Sequence, residues 1–357
     1  MLLRKACILV FNMVESVPFV NKLHLITTIQ HSGKSADGAT PKNSCRTISL
    51  LIKCSDIMIF RYKKIATVII WGFAAFWLST LPSSAKMVSD QLGRDIQLPT
   101  MPRRIVSLAP SITEIVFALE QESRLVGVTR YSDYPPEAAS LPKVGSYVRL
   151  DIERIVALNP DLCIATKDGN PKAVIDRLTS LKIPVYVVNP HNLDTLVETI
   201  LEIGAILNAG DRADTLTTRM RNRIQRVKSR VAQVAHRPRV FFQIGISPIV
   251  SAGTETFIHE LIELAGGENL AEGRIAYPRF SREQVLALEP EVFIITSMAR
   301  QAVFEEVKAE WRRWPNIPAV RDERIFLVDS NLFDRPSPRL VDGLELLTRL
   351  IHPELQE

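Results

Sequence analysis

Two glutamates open two stretches of the chain that repeat one another. Glu153 to Thr166 (ERIVALNPDLCIAT) aligns without gaps on Glu283 to Thr296 (EQVLALEPEVFIIT), an offset of 130 positions at which Glu, Ala, Leu, Pro, Ile and Thr coincide and Asp161 faces Glu291. The shared apolar positions are what any helix, proline turn and buried strand requires. The glutamates are less obviously needed. Asp151 and Ser281 stand where they would cap the two helices, so each Glu enters a first turn, where a carboxylate gains about 0.3 to 1 kcal/mol from the helix dipole. That accounts for each Glu alone and not for the same placement twice.

Other side chains offer no catalytic set. The sequence has no GxGxxG, P-loop, GxSxG or HExxH pattern, and Gly245-Ile246-Ser247-Pro248 lacks the second glycine of a nucleophile elbow. Gly266-Gly267 after an apolar helix pattern reads as a helix end. His191, His236, His259 and His352 are scattered within or beside helices, so no metal set converges. The chemistry expected is binding without turnover, with no metal and no cofactor, so this is not an enzyme.

Charge and length divide the chain. The 357 residues carry a net charge of +5, yet the first 85 hold ten basic and three acidic residues, leaving the remainder mildly acidic. The basic balance is therefore no sign of a nucleic-acid partner. From Met58 the sequence reads MIFRYKK, then the apolar run Ile65 to Thr80, then Leu81-Pro82-Ser83-Ser84-Ala85. A basic start, a short apolar run and small residues form the pattern of a secretory signal peptide. Sixteen apolar positions fall short of the roughly 20 a membrane span needs. The expectation is cleavage after Ala85 and export, with residues 1–57 a non-native upstream extension and translation beginning at Met58. Of Cys7, Cys45, Cys54 and Cys163, only Cys163 lies beyond the leader, inside an apolar run, where it reads as a small buried hydrophobe.

The elements that must position any site alternate between two periods. Arg104–Ala109, Leu125–Thr129, Asp161–Thr166 and Val185–Val188 read as buried strands, separated by helical segments at Ser111–Leu119, Ile152–Leu158, Ala173–Leu181 and Leu193–Leu207. Ser111 and Glu114 have capping-box spacing. Asp211 to His236 breaks the rhythm as a single long helix, whose basic residues from Arg212 to Arg230 read as a solvated face. The alternation then resumes through Val240–Ile244, Val292–Thr296 and Ile325–Val328 to a last helix at Leu340–Ile351. The expected fold is α/β, with two Rossmann-like lobes built on parallel sheets and bridged by one long α-helix. The expected divisions are 58–85 for the signal peptide, 86–208 for the first lobe, 209–237 for the linking helix and 238–357 for the second lobe.

The stretches RIVSLAPSITEIVFAL, VGVTRYSDYPPEA, DIERIVALNPDLCIAT, LAGGENLA, FSREQVLALEPEVFIIT and DRPSPRLVDGL together resemble the cobalamin-binding family of bacterial ABC importers, over about residues 103 to 352. That family belongs to the class III periplasmic binding proteins, whose two lobes are joined by a single helix. The resemblance implies a periplasmic monomer that captures a corrinoid between its lobes and delivers it to a permease and ATPase complex of the inner membrane. It also implies that Glu153 and Glu283 dock on arginines of the two-fold permease. Two pseudo-symmetric carboxylates suit a partner with two copies of one basic pocket.

A flat macrocycle is best held by aromatic faces in a cleft between lobes. By the resemblance, Tyr131 is retained, while Tyr147 and Tyr277 stand where the family has tryptophans, and Thr166 and Leu332 where further tryptophans are expected. Asn331 replaces an acid. Gly169, Asn170, Phe333 and Arg335 are expected loop contacts. These departures weaken cobalamin itself more than a corrinoid-like or other large ligand. A siderophore or haem iron carrier on the same fold is the alternative.

Overall fold

The structure, a computed structural model, describes residues 85–296 and 301–355. The expected extension at 1–57 and the expected leader at 58–85, save Ala85, lie outside these residues. Among the described residues no helix is long and apolar enough to cross a membrane.

The described chain opens with a hairpin, β1 (Ala85–Ser89) antiparallel to β2 (Asp95–Pro99). Asp90 builds its turn by accepting the Leu92 and Arg94 amides at 3.0 and 2.9 Å. The first sheet follows, with β3 (Ile105–Ser107), α1 (Pro110–Ala118), β4 (Leu125–Gly127), α2 (Ile152–Ala157), β5 (Leu162–Thr166), α3 (Lys172–Ser180), β6 (Val185–Val188) and α4 (Leu193–Ile206) in succession. Its strands are all parallel in the order β4-β3-β5-β6. A long helix, α5 (Gly210–Val231), leads to the second sheet.

There the succession is β7 (Arg239–Gln243), β8 (Ile249–Val250), α6 (Phe257–Leu264), β9 (Glu268–Asn269), β10 (Arg279–Phe280), α7 (Arg282–Leu288), β11 (Val292–Ile295), α8 (Gln301–Trp311), α9 (Pro318–Arg321), β12 (Ile325–Leu327) and α10 (Leu340–Ile351). Parallel strands run in the order β12-β11-β7-β9, and β8 and β10 form a separate antiparallel pair. With that pair set aside, each sheet places its first strand between its second and third, so the two lobes share one winding.

The sequence repeat is the visible part of this symmetry. In the first lobe Asp161 accepts the Arg103 and Arg104 amides at 2.8 and 3.0 Å, fixing the entry to β3. In the second, Glu291 accepts the Arg239 amide at 2.8 Å at the entry to β7. The guanidinium of Arg104 donates to the Leu158 carbonyl behind α2, and that of Arg239 to the Leu288 carbonyl of α7. The repeated acid and its arginine thus tie a strand to the helix preceding its neighbour.

Alternation along the strands divides the core into three clusters. Leu162 and Ile164 of β5 and Val240 and Phe242 of β7 belong to one apolar cluster that also takes in Met220 and Val227 of α5 and Leu344 and Leu347 of α10. Cys163 and Ala165 face the opposite side of the first sheet, and Phe241 and Phe293 that of the second. Burial pushes the Cys163 thiol up to about 12, with Asp161 adding to the effect.

Two local expectations are corrected. The linking helix ends at Val231 rather than His236. Gln233 and Val234 bond three residues back, to the carbonyls of Arg230 and Val231, as the chain tightens before Pro238, whose ring disfavours helix in the residue it follows. At the first helix no capping box forms. Pro110 starts α1 one residue early with Ala109 as its cap, which carries Glu114 past the first turn and into the interior.

Candidate functional site

Each sheet reverses its strand order beside its first strand, and ligands of open α/β sheets settle at the carboxyl ends of strands near such points. A cleft of about 1210 Å³ lies there. Its walls include Ala109 and Pro110 beyond β3, Thr166 and Gly169 at the end of β5, and Asn189 and His191 beyond β6. The second lobe contributes Tyr277, Glu255 and the stretch from Leu327 to Asn331 beyond β12. The volume exceeds the roughly 300 to 1,000 Å³ usual for drug-sized ligands.

Aromatic faces reach the cleft from both lobes. Tyr131 and Tyr147 meet edge to face with centroids 6.4 Å apart, and Tyr277 is 59% exposed on the other side. The Tyr131 loop is anchored from beneath by buried hydroxyls, since Thr113 donates to Ser132 at 2.9 Å and Ser132 also bonds Thr129 at 2.9 Å. Gly169 makes room for Tyr147. A Cβ there would stand 2.7 Å from the Thr166 hydroxyl and 3.3 Å from the Tyr147 ring.

Of the expected contacts, Tyr131, Tyr147, Gly169, Tyr277, Asn331 and Arg335 line the cleft, and so does Thr166. Asn170 and Phe333 take other places. The Asn170 carboxamide accepts the Thr166 amide at 2.8 Å and donates to the Leu108 and Tyr147 carbonyls at 2.8 Å, so it supports the wall from behind. Phe333 is buried in the core against Phe242 at a centroid distance of 5.3 Å. Of His191, His236, His259 and His352, the first alone lines the cleft. No group of three or more His, Cys, Asp or Glu side chains suited to a metal is found among the described residues.

Sequence reasoning placed Glu114 wrongly. Its carboxylate, 2% exposed, accepts from Arg335 at 2.9 Å, from the Ser337 hydroxyl at 2.6 Å and from Arg339 at 3.4 Å. Arg335 also donates to Asp133 at 2.8 Å and to the Tyr131 carbonyl at 3.1 Å, and Arg339 lies 3.9 Å above the Tyr134 ring. Second-lobe arginines therefore clamp the first-lobe loop that carries Tyr131. A signal was present in the run DRPSPRLVDGL, where Arg335, Ser337 and Arg339 fall at alternate positions between prolines. Elsewhere Glu260 of α6 accepts the Leu193 amide of α4 at 2.8 Å, a second bridge between lobes. Burial pushes the Glu260 carboxyl above its ordinary range.

The cleft walls are rich in acids. Asp133, Asp168, Glu255, Glu305, Asp329 and Asp334 line it. Asp334 is open to cleft water, yet enough protein surrounds it that burial pushes its carboxyl up to about 6, against the opposing pull of Arg335. Burial also raises the Tyr277 hydroxyl, with Asp334 and Asp168 adding to the shift.

The repeated glutamates stand away from these walls. Asp151 accepts the Arg154 amide at 3.0 Å as cap of α2, and Ser281 forms a reciprocal capping box with Gln284 on α7. Glu153 and Glu283 thus project from the first turns, both exposed. A hydrogen bond from Ser281 holds the Glu283 carboxyl below its ordinary range.

A family model for periplasmic binding proteins matches residues 105–332. The chain is 32% identical over 251 residues to a vitamin B12-binding protein of Yersinia pestis (strain Pestoides F), covering 69% of this chain and 86% of that relative. Among solved structures, the periplasmic vitamin B12-binding protein of Vibrio cholerae is 29% identical with a TM-score of 0.62, covering 72% of this chain and 99% of that one. A periplasmic haem-binding protein of Pseudomonas aeruginosa is also 29% identical with a TM-score of 0.65, covering 71% and 94%.

Proposed function

The chain belongs to the periplasmic binding protein family, and from that premise we propose that it captures a corrinoid between its lobes and hands it to a membrane permease driven by a separate ATPase. The observation that carries this reading is the cleft of about 1210 Å³ with Tyr131 and Tyr147 on one wall and Tyr277 on the other. Opposed tyrosine faces can stack on a flat ring while their hydroxyls meet its amide fringe. The cobalamin-like or cobinamide-like ligand is cargo and not a cofactor.

The exposed glutamates Glu153 and Glu283 serve as the permease contacts. They sit at equivalent places on two lobes of one winding, so a two-fold partner can bind both with the same basic pocket. Export by a cleaved leader at 58–85, a monomeric state, and lobes divided at 86–208 and 238–357 around the 209–237 linker complete the proposal.

A haem carrier is the second reading. His191 and three tyrosines line the cleft, and these side-chain types can ligate haem iron. Titration of the purified protein with cyanocobalamin, cobinamide, ferric protoporphyrin and a ferric siderophore, followed by absorbance and heat, separates the readings. Saturable one-to-one corrinoid binding without conversion supports the proposal. Binding of an iron chelate alone defeats the corrinoid assignment.

A further inference from the structure

We propose that the cleft sorts its ligands by charge, with Asp168 and Asp334 setting a preference for a cationic corrinoid over a macrocycle bearing free carboxylates. This rests on the corrinoid reading above. The two acids come from opposite lobes, Asp168 from the loop after β5 and Asp334 from the segment before α10, and both line the cleft that Tyr277 also lines. A ligand stacked on that ring would lie between walls that carry both carboxylates.

The cations that could offset them are few. Arg335 lines the cleft but is already shared between Glu114 and Asp133. Lys167 and His191 remain, against Asp168, Glu255, Glu305 and Asp334, because Asp133 and Asp329 are themselves paired with Arg335 and Arg339. A ligand with carboxylate arms needs basic partners, because a charge moved into a confined site without one is strongly disfavoured. A corrinoid stripped of its nucleotide presents amides around the ring. With one water and one cyanide on cobalt it carries a single net positive charge. The nucleotide phosphate brings cyanocobalamin to zero, and the two carboxylates of ferric protoporphyrin bring it below zero.

The test titrates the purified protein with aquacyanocobinamide, cyanocobalamin and ferric protoporphyrin at neutral pH, in the wild type and in the Asp168→Asn/Asp334→Asn variant. The expected wild-type order of affinity is the order just given. The ratio of cobinamide to cyanocobalamin affinity should fall by at least about ten-fold in the variant. Loss of all three affinities together, with the ratio kept, would mark a structural effect and overturn charge selection. Salt reads the same property without mutation. Added potassium chloride should weaken the cobinamide complex of the wild type and leave cyanocobalamin nearly unchanged. Corrinoids that bind with one ratio in both proteins and at every salt concentration defeat charge selection and leave the corrinoid reading standing. A wild type that takes ferric protoporphyrin and no corrinoid defeats both.

Discussion

The Arg335 guanidinium donates to the Glu114 carboxylate at 2.9 Å, joining residues 221 positions apart and, with them, the two lobes. Glu114 is 2% exposed and Arg335 12%, and Ser337 and Arg339 complete the shell around the carboxylate. Removing one partner of such a pair leaves the other charge buried. Glu114→Ala should therefore destabilise the protein by about 3 to 5 kcal/mol. Urea denaturation with a shift below about 1 kcal/mol would show that the pair is not holding the lobes.

The aromatic walls make a separable prediction. Tyr147→Ala and Tyr277→Ala should each weaken corrinoid binding by about 1 kcal/mol or more, while Tyr→Phe at either position keeps the stacking face and most of the affinity. Gly169→Val should act through Tyr147, because its side chain would occupy space next to that ring. Calorimetric titration of the set checks the order, and equal losses from Phe and Ala variants would shift the role from the face to the hydroxyl.

Docking can be tested apart from capture. Glu153→Lys combined with Glu283→Lys should leave ligand affinity intact and abolish uptake, since both residues project from helix first turns away from the cleft walls. Transport by membrane vesicles or cells supplied with the variant is the readout. Normal uptake would remove the docking role.

Asp334 predicts a pH dependence of stability. Its folded pKa of about 6 lies above the ordinary 3.8, with Asp329 raising it and Arg335 lowering it alongside the dominant burial. Between those values the folded chain holds a proton that the unfolded chain has lost. Ionised Asp334 therefore opposes folding above about pH 6, and the opposition fades as pH falls toward about 4. Asp334→Asn should raise the melting temperature at neutral pH, with the difference closing in acid. A lower melting temperature for the variant at neutral pH would reverse the assignment.

Much of this architecture was readable because it is periodic. Val185–Val188 appears as a strand residue for residue, and the helix, proline and strand unit at Glu153 recurs at Glu283 with Asp161 and Glu291 doing the same work. Burial against a sheet imposes these patterns locally, so they survive in one sequence. Glu114 was opaque for the opposite reason. Its spacing from Ser111 satisfies a local rule, whereas its partners lie more than two hundred residues away. Asn170 and Phe333 were misplaced because no period governs which way a loop side chain turns. The β1–β2 hairpin went unseen because its residues 86–89 and 95–99 are exposed or half exposed, save Leu98, the buried member of β2.

The apolar cluster that runs from β5 through α5 and α10 to β7 gives the two lobes one shared interior. Moving one lobe against the other would expose part of that interior to water, so the cluster resists a change in the separation of the cleft walls. On the proposed function, release would then call for a receiving partner that works against this shared interior.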